Sequence, residues 1–146
     1  MPSRLGSIFR LAVCVCALAC ARTACASSDQ RERIQQVVDE LRAGLAIAQP
    51  VNVSIVPSNP KLFSVAPVEH QPETFLLSVE EDFAQGLSAT ELRVALAHEL
   101  GHVWIFTHFP FLQTEELAND IASRVVNRDS LAPLYDKVWK RVGSAD

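Results

Sequence analysis

Ile34, Val37, Val38, Leu41 and Leu45 recur three and four residues apart, with charged residues between them. That spacing is one face of a helix. It predicts an amphipathic helix that follows Asp29 as its cap, lays this face on the rest of the fold and stops at Gln49-Pro50. The period then changes. Val51-Asn52-Val53-Ser54-Ile55-Val56 alternates apolar and polar residues, the pattern of a strand with one buried face. Pro57-Ser58-Asn59-Pro60 marks a turn. Leu62 to Ala66 predicts a second short strand, Pro67 to Glu73 a loop, and Thr74-Phe75-Leu76-Leu77-Ser78-Val79 a third strand. Glu80 to Gln85 reads as a turn of helix.

Helical spacing returns after Ser88-Ala89-Thr90-Glu91, a capping box in which the serine caps the helix and the glutamate sits three residues on. Leu92, Ala95, Leu96 and Leu100 follow, and Pro110 stops the helix. Thr114 is placed to cap another, from Glu115 to about Asn127. A last helix is predicted from about Leu131 to Arg141, with Pro133 near its first turn. One helix, a small antiparallel sheet and three more helices make an α+β arrangement.

The chain has 146 residues, enough for one domain. Its first 26 read as an export signal. Arg4 and Arg10 are basic, Leu11 to Ala21 is apolar but short for a membrane span, and Ala24-Cys25-Ala26 fits a cleavage site. Cleavage is expected between Ala26 and Ser27, leaving residues 27–146 as the mature domain in the periplasm or outside the cell. An uncleaved anchor and a lipid-modified Cys20 are the alternatives. All four cysteines, Cys14, Cys16, Cys20 and Cys25, fall in this leader. A mature chain without cysteine has no disulfide framework, and its metal ligands are confined to histidine and carboxylate. Losing Arg4, Arg10 and Arg22 moves the net charge from −4 to −7, since no acidic residue precedes Asp29. Such a chain, without basic clusters, is not expected to bind nucleic acid or an anionic membrane.

The chemistry concentrates at His98-Glu99-Leu100-Gly101-His102. Histidines four residues apart on a helix share a face and can bind one metal, and Glu99 beside them suits a general base acting on water. A catalytic zinc needs a third protein ligand. His108 has the spacing of a known third histidine, but that pattern requires a helix-breaking glycine where this chain has Ile105. Glu115 and Glu116 are the other candidates, each with a polar residue one turn on, Asn119 and Asp120. Spacing does not separate them.

Leu92-Arg93-Val94-Ala95-Leu96-Ala97-His98-Glu99-Leu100-Gly101-His102 resembles the active-site helix of the gluzincin zinc metallopeptidases, in particular the CAAX prenyl endopeptidases and the HtpX-type endopeptidases. Glu115-Glu116-Leu117-Ala118-Asn119-Asp120-Ile121-Ala122 matches their second motif. Both stretches are also similar to the phage-repressor-cleaving peptidases with H-E-L-G-H. The likeness spans roughly Val51 to Asn127. It implies a zincin-like fold, one Zn²⁺ held by His98, His102 and Glu115, Asn119 behind a ligand as a second-shell residue, and Ala118 at a helix crossing. It implies a peptide or protein substrate lying extended along the Thr74–Val79 strand. The membrane-embedded members have transmembrane helices that this mature chain lacks. Asn119 stands where aspartate is commoner, and Glu116 with Asp120 remains the alternative ligand pair.

No oxyanion-stabilising residue stands out, and Tyr135 and His70 are the candidates. Trp104, Phe106, His108, Phe109 and Phe111 form an aromatic stretch, expected to pack against the first helix or else to bind substrate or a partner. Tyr135 and Trp139 are expected to be packing residues. The activity expected is zinc-dependent hydrolysis of peptide bonds. The alternative is a non-catalytic zinc-binding adaptor on the same fold, and the oligomeric state is open.

Overall fold

In the computed structural model, which describes residues 28–108 and 110–143, a first helix, α1, runs over 28–44. The expected leader lies outside the described residues, as does Phe109. Ile34, Val38 and Leu41 are buried on one side of α1, as their spacing requires. Asp29 is not the cap, because the helix is already formed at Ser28. Nor does α1 extend to Pro50. Its last carbonyls are passed at Ala46, whose φ of 56° turns the chain, and the Arg42 guanidinium donates to the carbonyls of Ile47 and Ala48 at 3.1 and 3.2 Å. That positive φ ends the helix early.

Three strands follow, β1 (Val51–Val56), β2 (Phe63–Val68) and β3 (Gln71–Glu80). They form a mixed sheet in the order β1-β3-β2, with β1 parallel and β2 antiparallel to β3. The wholly antiparallel sheet expected from the sequence is therefore corrected. The 57–62 connection does not close a hairpin; it carries the chain past the position that β3 later fills, about two strand spacings or roughly 10 Å. β3 takes the centre because its Phe75, Leu77 and Val79 are almost wholly buried on one face. The expected loop at 67–73 is mostly strand, since β2 and β3 form a hairpin with only Glu69 and His70 between Val68 and its partner Gln71. His70 has a φ of 61° there. The outer edge of β1 is covered by Gln35, whose amide bonds the carbonyl of Val51 at 2.9 Å and the N–H of Val53 at 2.8 Å. A paired edge does not recruit a foreign strand.

A short helix α2 (Glu81–Gln85) leads to α3 (Ala89–Thr107). The capping box at Ser88 is formed in full, with the Ser88 side chain accepting from the Glu91 N–H and Glu91 reaching back to the Ser88 N–H at 2.8 Å. Val94 to Ala97, Leu100, Val103 and Ile105 are buried, so α3 is enclosed on several sides and forms the spine of the domain. Truncating Leu96, fully buried, to alanine costs about 2–5 kcal/mol in such a place.

Helix α4 (Glu115–Ala122) is capped by the Thr114 hydroxyl on the Leu117 N–H and is shorter than expected. The Asn127 side chain accepts from the Asp129 N–H and starts a separate 3₁₀ turn over Arg128–Ser130. Helix α5 (Leu131–Gly143) is the last element described and packs on α3. Its far end is tied down by Lys137 on Glu91 at 2.8 Å and by Arg141 on the buried Glu80 at 3.2 Å. Trp139 is not a packing residue, being 72% exposed. No helix among the described residues is long and apolar enough to cross a membrane.

Candidate metal centre

The spine helix α3 and the short helix α4 cross at Gly101. A Cβ there would come within 3.0 Å of the Ala118 Cα and carbonyl carbon, so only glycine lets the two backbones approach this closely. Ala118 is fully buried at the crossing. The approach brings the first turn of α4 over the His98/His102 face of α3. The Nε2 atoms of His98 and His102 lie 3.2 Å apart, and the Glu115 carboxylate reaches them at 3.1 and 3.5 Å. Ligand atoms of these three residues lie within 4.8 Å of one another, a group that could hold a metal ion.

Glu116 is not part of this group, and Asp120 is turned away to pair with Arg128 at 3.1 Å. His108 does not join it either. It stacks on the Trp104 ring at 3.9 Å, and its Nδ1 bonds the Trp104 carbonyl at 2.8 Å.

The outer nitrogen of each histidine is held by an amide. His98 Nδ1 lies 2.8 Å from Asn119 Oδ1, which also accepts from the Tyr135 hydroxyl at 2.9 Å. His102 Nδ1 lies 3.1 Å from Gln113 Oε1. The orientation of Gln113 is set independently, because its NH₂ donates to the His102 carbonyl at 3.0 Å and a carbonyl can only accept. Amide oxygens at these positions favour the tautomer with the proton on Nδ1, which leaves the Nε2 lone pairs facing each other and a carboxylate. Three electron-rich atoms converging at these distances suit a cation between them, and two imidazoles with one carboxylate are a usual zinc donor set. Burial lowers the His98 pKa, which keeps that ring neutral and able to ligate. Glu115, whose side chain is 74% exposed, stands in the first turn of α4, where the helix dipole favours its charge.

Glu99 faces a cleft of about 470 Å³ walled by α3, β2 and α5. Desolvation raises its pKa to about 7, against the opposing effects of nearby His102 and Lys61 and of the Val65 backbone N–H. Tyr135 lines the same cleft, half-buried, with burial raising its pKa. It is thus a cleft residue and not mere packing. His70 sits almost fully exposed on the β2–β3 turn and does not line the cleft. The aromatic stretch divides. Trp104 packs against the core and under Arg124, whereas Phe106, 56% exposed, edges onto Phe75 at 5.4 Å and lines the cleft.

The Thr74–Val79 strand cannot offer an edge to a peptide, because β3 is paired on both sides. The edge beside the cleft belongs to β2, whose Phe63, Ser64, Val65 and Pro67 line it. Gln113 had no signal beyond its place before the Thr114 cap. Its role depends on the fold of the connection between α3 and α4, which no local pattern reveals.

No family model matches the sequence, and no curated protein matches it. Among solved structures, the fold is similar to the crystal structure of the metallopeptidase zymogen of Pyrococcus abyssi abylysin, with a TM-score of 0.55 and 14% identity. The likeness covers 75% of this chain and 95% of that one. At this identity it is a likeness of fold: the chain is a single α+β domain with the fold of a metallopeptidase, and nothing in the match singles out the CAAX or HtpX families.

Proposed function

We propose that this protein is a zinc-dependent metallopeptidase of gluzincin type, exported by cleavage after Ala26, which hydrolyses peptide bonds in the cleft beside α3. The observation that carries the reading is the convergence of His98, His102 and Glu115, with both outer nitrogens held by amides and Glu99 alongside. A purely structural metal site has no need of an acid whose pKa is raised to about 7 and which opens onto a cleft. The solved neighbour is described as a metallopeptidase, in zymogen form.

In this reading His98, His102 and Glu115 hold one zinc ion, which when bound supplies Lewis-acid polarisation of water and of a peptide carbonyl. Asn119 and Gln113 keep the two rings in the ligating tautomer. Tyr135 holds Asn119 in turn, so the sequence Tyr135–Asn119–His98 is a positioning chain. Glu99 takes a proton from the attacking water and returns it to the leaving amine, the two transfers that a carboxyl lining the cleft beside the ligands is placed to make. The substrate lies along β2. Ser64 is a hydrogen-bonding partner of Ser78 in the ladder and Val65 is not, so the Val65 N–H and C=O point outward. The N–H is taken by Glu99, that of Phe63 by the Lys61 carbonyl, and Pro67 has none. This edge reads a peptide by its N–H groups.

The test is metal analysis of the purified protein together with cleavage of a denatured protein such as casein. About one zinc per chain, and cleavage abolished by a chelator and restored by zinc, supports the reading. Loss of zinc in Glu116→Ala but not in Glu115→Ala overturns the ligand assignment. Full zinc occupancy with no cleavage across a broad peptide library makes the protein a zinc-binding adaptor instead.

A further inference from the structure

Lys61 is the one lysine or arginine among the described residues lining the cleft. Its backbone is pinned on both sides. The Lys61 N–H donates to Asn59 Oδ1 at 3.1 Å, and the same amide donates to Ser64 Oγ at 3.0 Å and to the Ser78 carbonyl at 3.2 Å. The Lys61 carbonyl accepts from the Phe63 N–H at 2.7 Å. Leu62 is buried with a φ of 65°, a conformation that branched residues rarely adopt. This turn sets Lys61 at the start of β2, beside the cleft. Of the other two lysines, Lys137 is paired with Glu91 and Lys140 is exposed and does not line the cleft; the Lys61 ammonium makes no hydrogen bond or ion pair among the described residues, and the acid on which its charge acts is Glu99.

Lys61 brings a positive charge to a cleft whose only acids among the described residues, Glu99 and Glu115, are those placed at the metal centre, on a chain whose formal net charge is −4. The facing walls are apolar: Phe63, Val65, Phe75, Val103, Phe106 and Leu134. An occupant that satisfies both has one negative charge close to a large apolar group.

We propose that Lys61 receives a carboxylate of the bound peptide while the apolar walls take a neighbouring large side chain. The preferred substrates are then peptides with a carboxylate next to, or one residue from, an aromatic or branched aliphatic residue. The inference rests on the peptidase reading only in taking a peptide as the occupant. The carboxylate comes either from the chain terminus, which makes the protein a C-terminal trimming enzyme, or from an Asp or Glu side chain within a longer peptide.

The experiment measures direct binding, by fluorescence anisotropy, to the full-length zinc-loaded Glu99→Gln protein. Two pairs of labelled peptides are used: one ending in Leu-Phe as free acid or amide, and one amidated peptide with internal Phe-Asp or Phe-Asn. One acidic member is expected to bind about tenfold more tightly than its neutral twin, the scale of a hydrogen bond to a charged partner. That preference disappears in Lys61→Met, returns in Lys61→Arg and shrinks as salt is raised. The pair that shows it identifies the source of the carboxylate. Equal binding of acid and neutral twins, a preference that survives Lys61→Met, or no binding of any of the four peptides overturns the proposal. A Lys61-dependent preference in a protein whose Glu99 form cleaves none of them leaves the carboxylate receptor standing and removes the peptidase.

Discussion

Gly101 and Ala118 are in backbone contact: a methyl group placed on Gly101 would fall within 3.0 Å of the Ala118 Cα and carbonyl carbon. The contact sets the depth at which α4 lies on α3, and with it the reach of Glu115 toward His98 and His102. Gly101→Ala is expected to gain about 1 kcal/mol in helix propensity and to lose more than that by forcing the backbones apart, for a net destabilisation of about 1–3 kcal/mol. Zinc affinity should fall at least tenfold along with it. Denaturant titration and competitive zinc titration measure the two effects. A more stable Gly101→Ala protein with unchanged zinc affinity contradicts this picture of the crossing.

Gln113 fixes His102 through two hydrogen bonds, one to the ring and one to the backbone. Gln113→Ala frees the ring and its tautomer while leaving all three candidate ligands in place. Zinc affinity should drop about 10–100-fold, the usual cost of losing such a partner. Asn119→Ala should do the same through His98, and Tyr135→Phe should have a smaller effect in the same direction. Zinc competition with a colorimetric chelator reads the series. Unchanged affinity in Gln113→Ala would show that the contact is incidental.

Glu99 makes the metal-free protein sensitive to pH. Its pKa is raised from 4.5 to about 7 by burial. A carboxyl raised in this way contributes stability that is fully present below pH 4.5 and is lost as pH rises toward 7, because the unfolded chain ionises first. In Glu99→Gln that loss is absent. The metal-free variant should therefore be more stable than the metal-free wild type at pH 7.5, by on the order of 2 kcal/mol, and similar to it at pH 4. His98, with its lowered pKa, contributes the opposite slope in both proteins and cancels in the comparison. Thermal melts at the two pH values check this; equal stabilities at pH 7.5 would show that Glu99 is well solvated.

The features legible in the sequence are those decided within a few residues. Ser88 and Glu91 announce the start of α3, Thr114 that of α4, and the four-residue spacing of His98 and His102 places both on one face. The strand ranges could be read from alternation to within a few residues. What could not be read depends on residues distant in sequence. The parallel pairing of β1 follows from β3 entering between β1 and β2, and the loss of β3 as an edge follows from the same insertion. Helix α4 ends at Ala122 and Asn127 caps a separate turn, a break in the helix that periodicity does not register. Phe106 lies exposed at the cleft wall with its ring against Phe75, and Trp139 falls on the outer side of α5. Lys61 carries no motif; its place beside the cleft comes from the turn at Leu62.

The role proposed for Glu99 is to act on water in a cleft whose metal would be held by His98, His102 and Glu115. Its most direct test is the rate of peptide hydrolysis by Glu99→Gln beside that of the wild type, at equal measured zinc content. The rate should fall by about 10²–10⁴-fold with zinc fully retained, the range for loss of a general base. A Glu99→Gln protein that keeps its zinc and cleaves at the wild-type rate contradicts the claim.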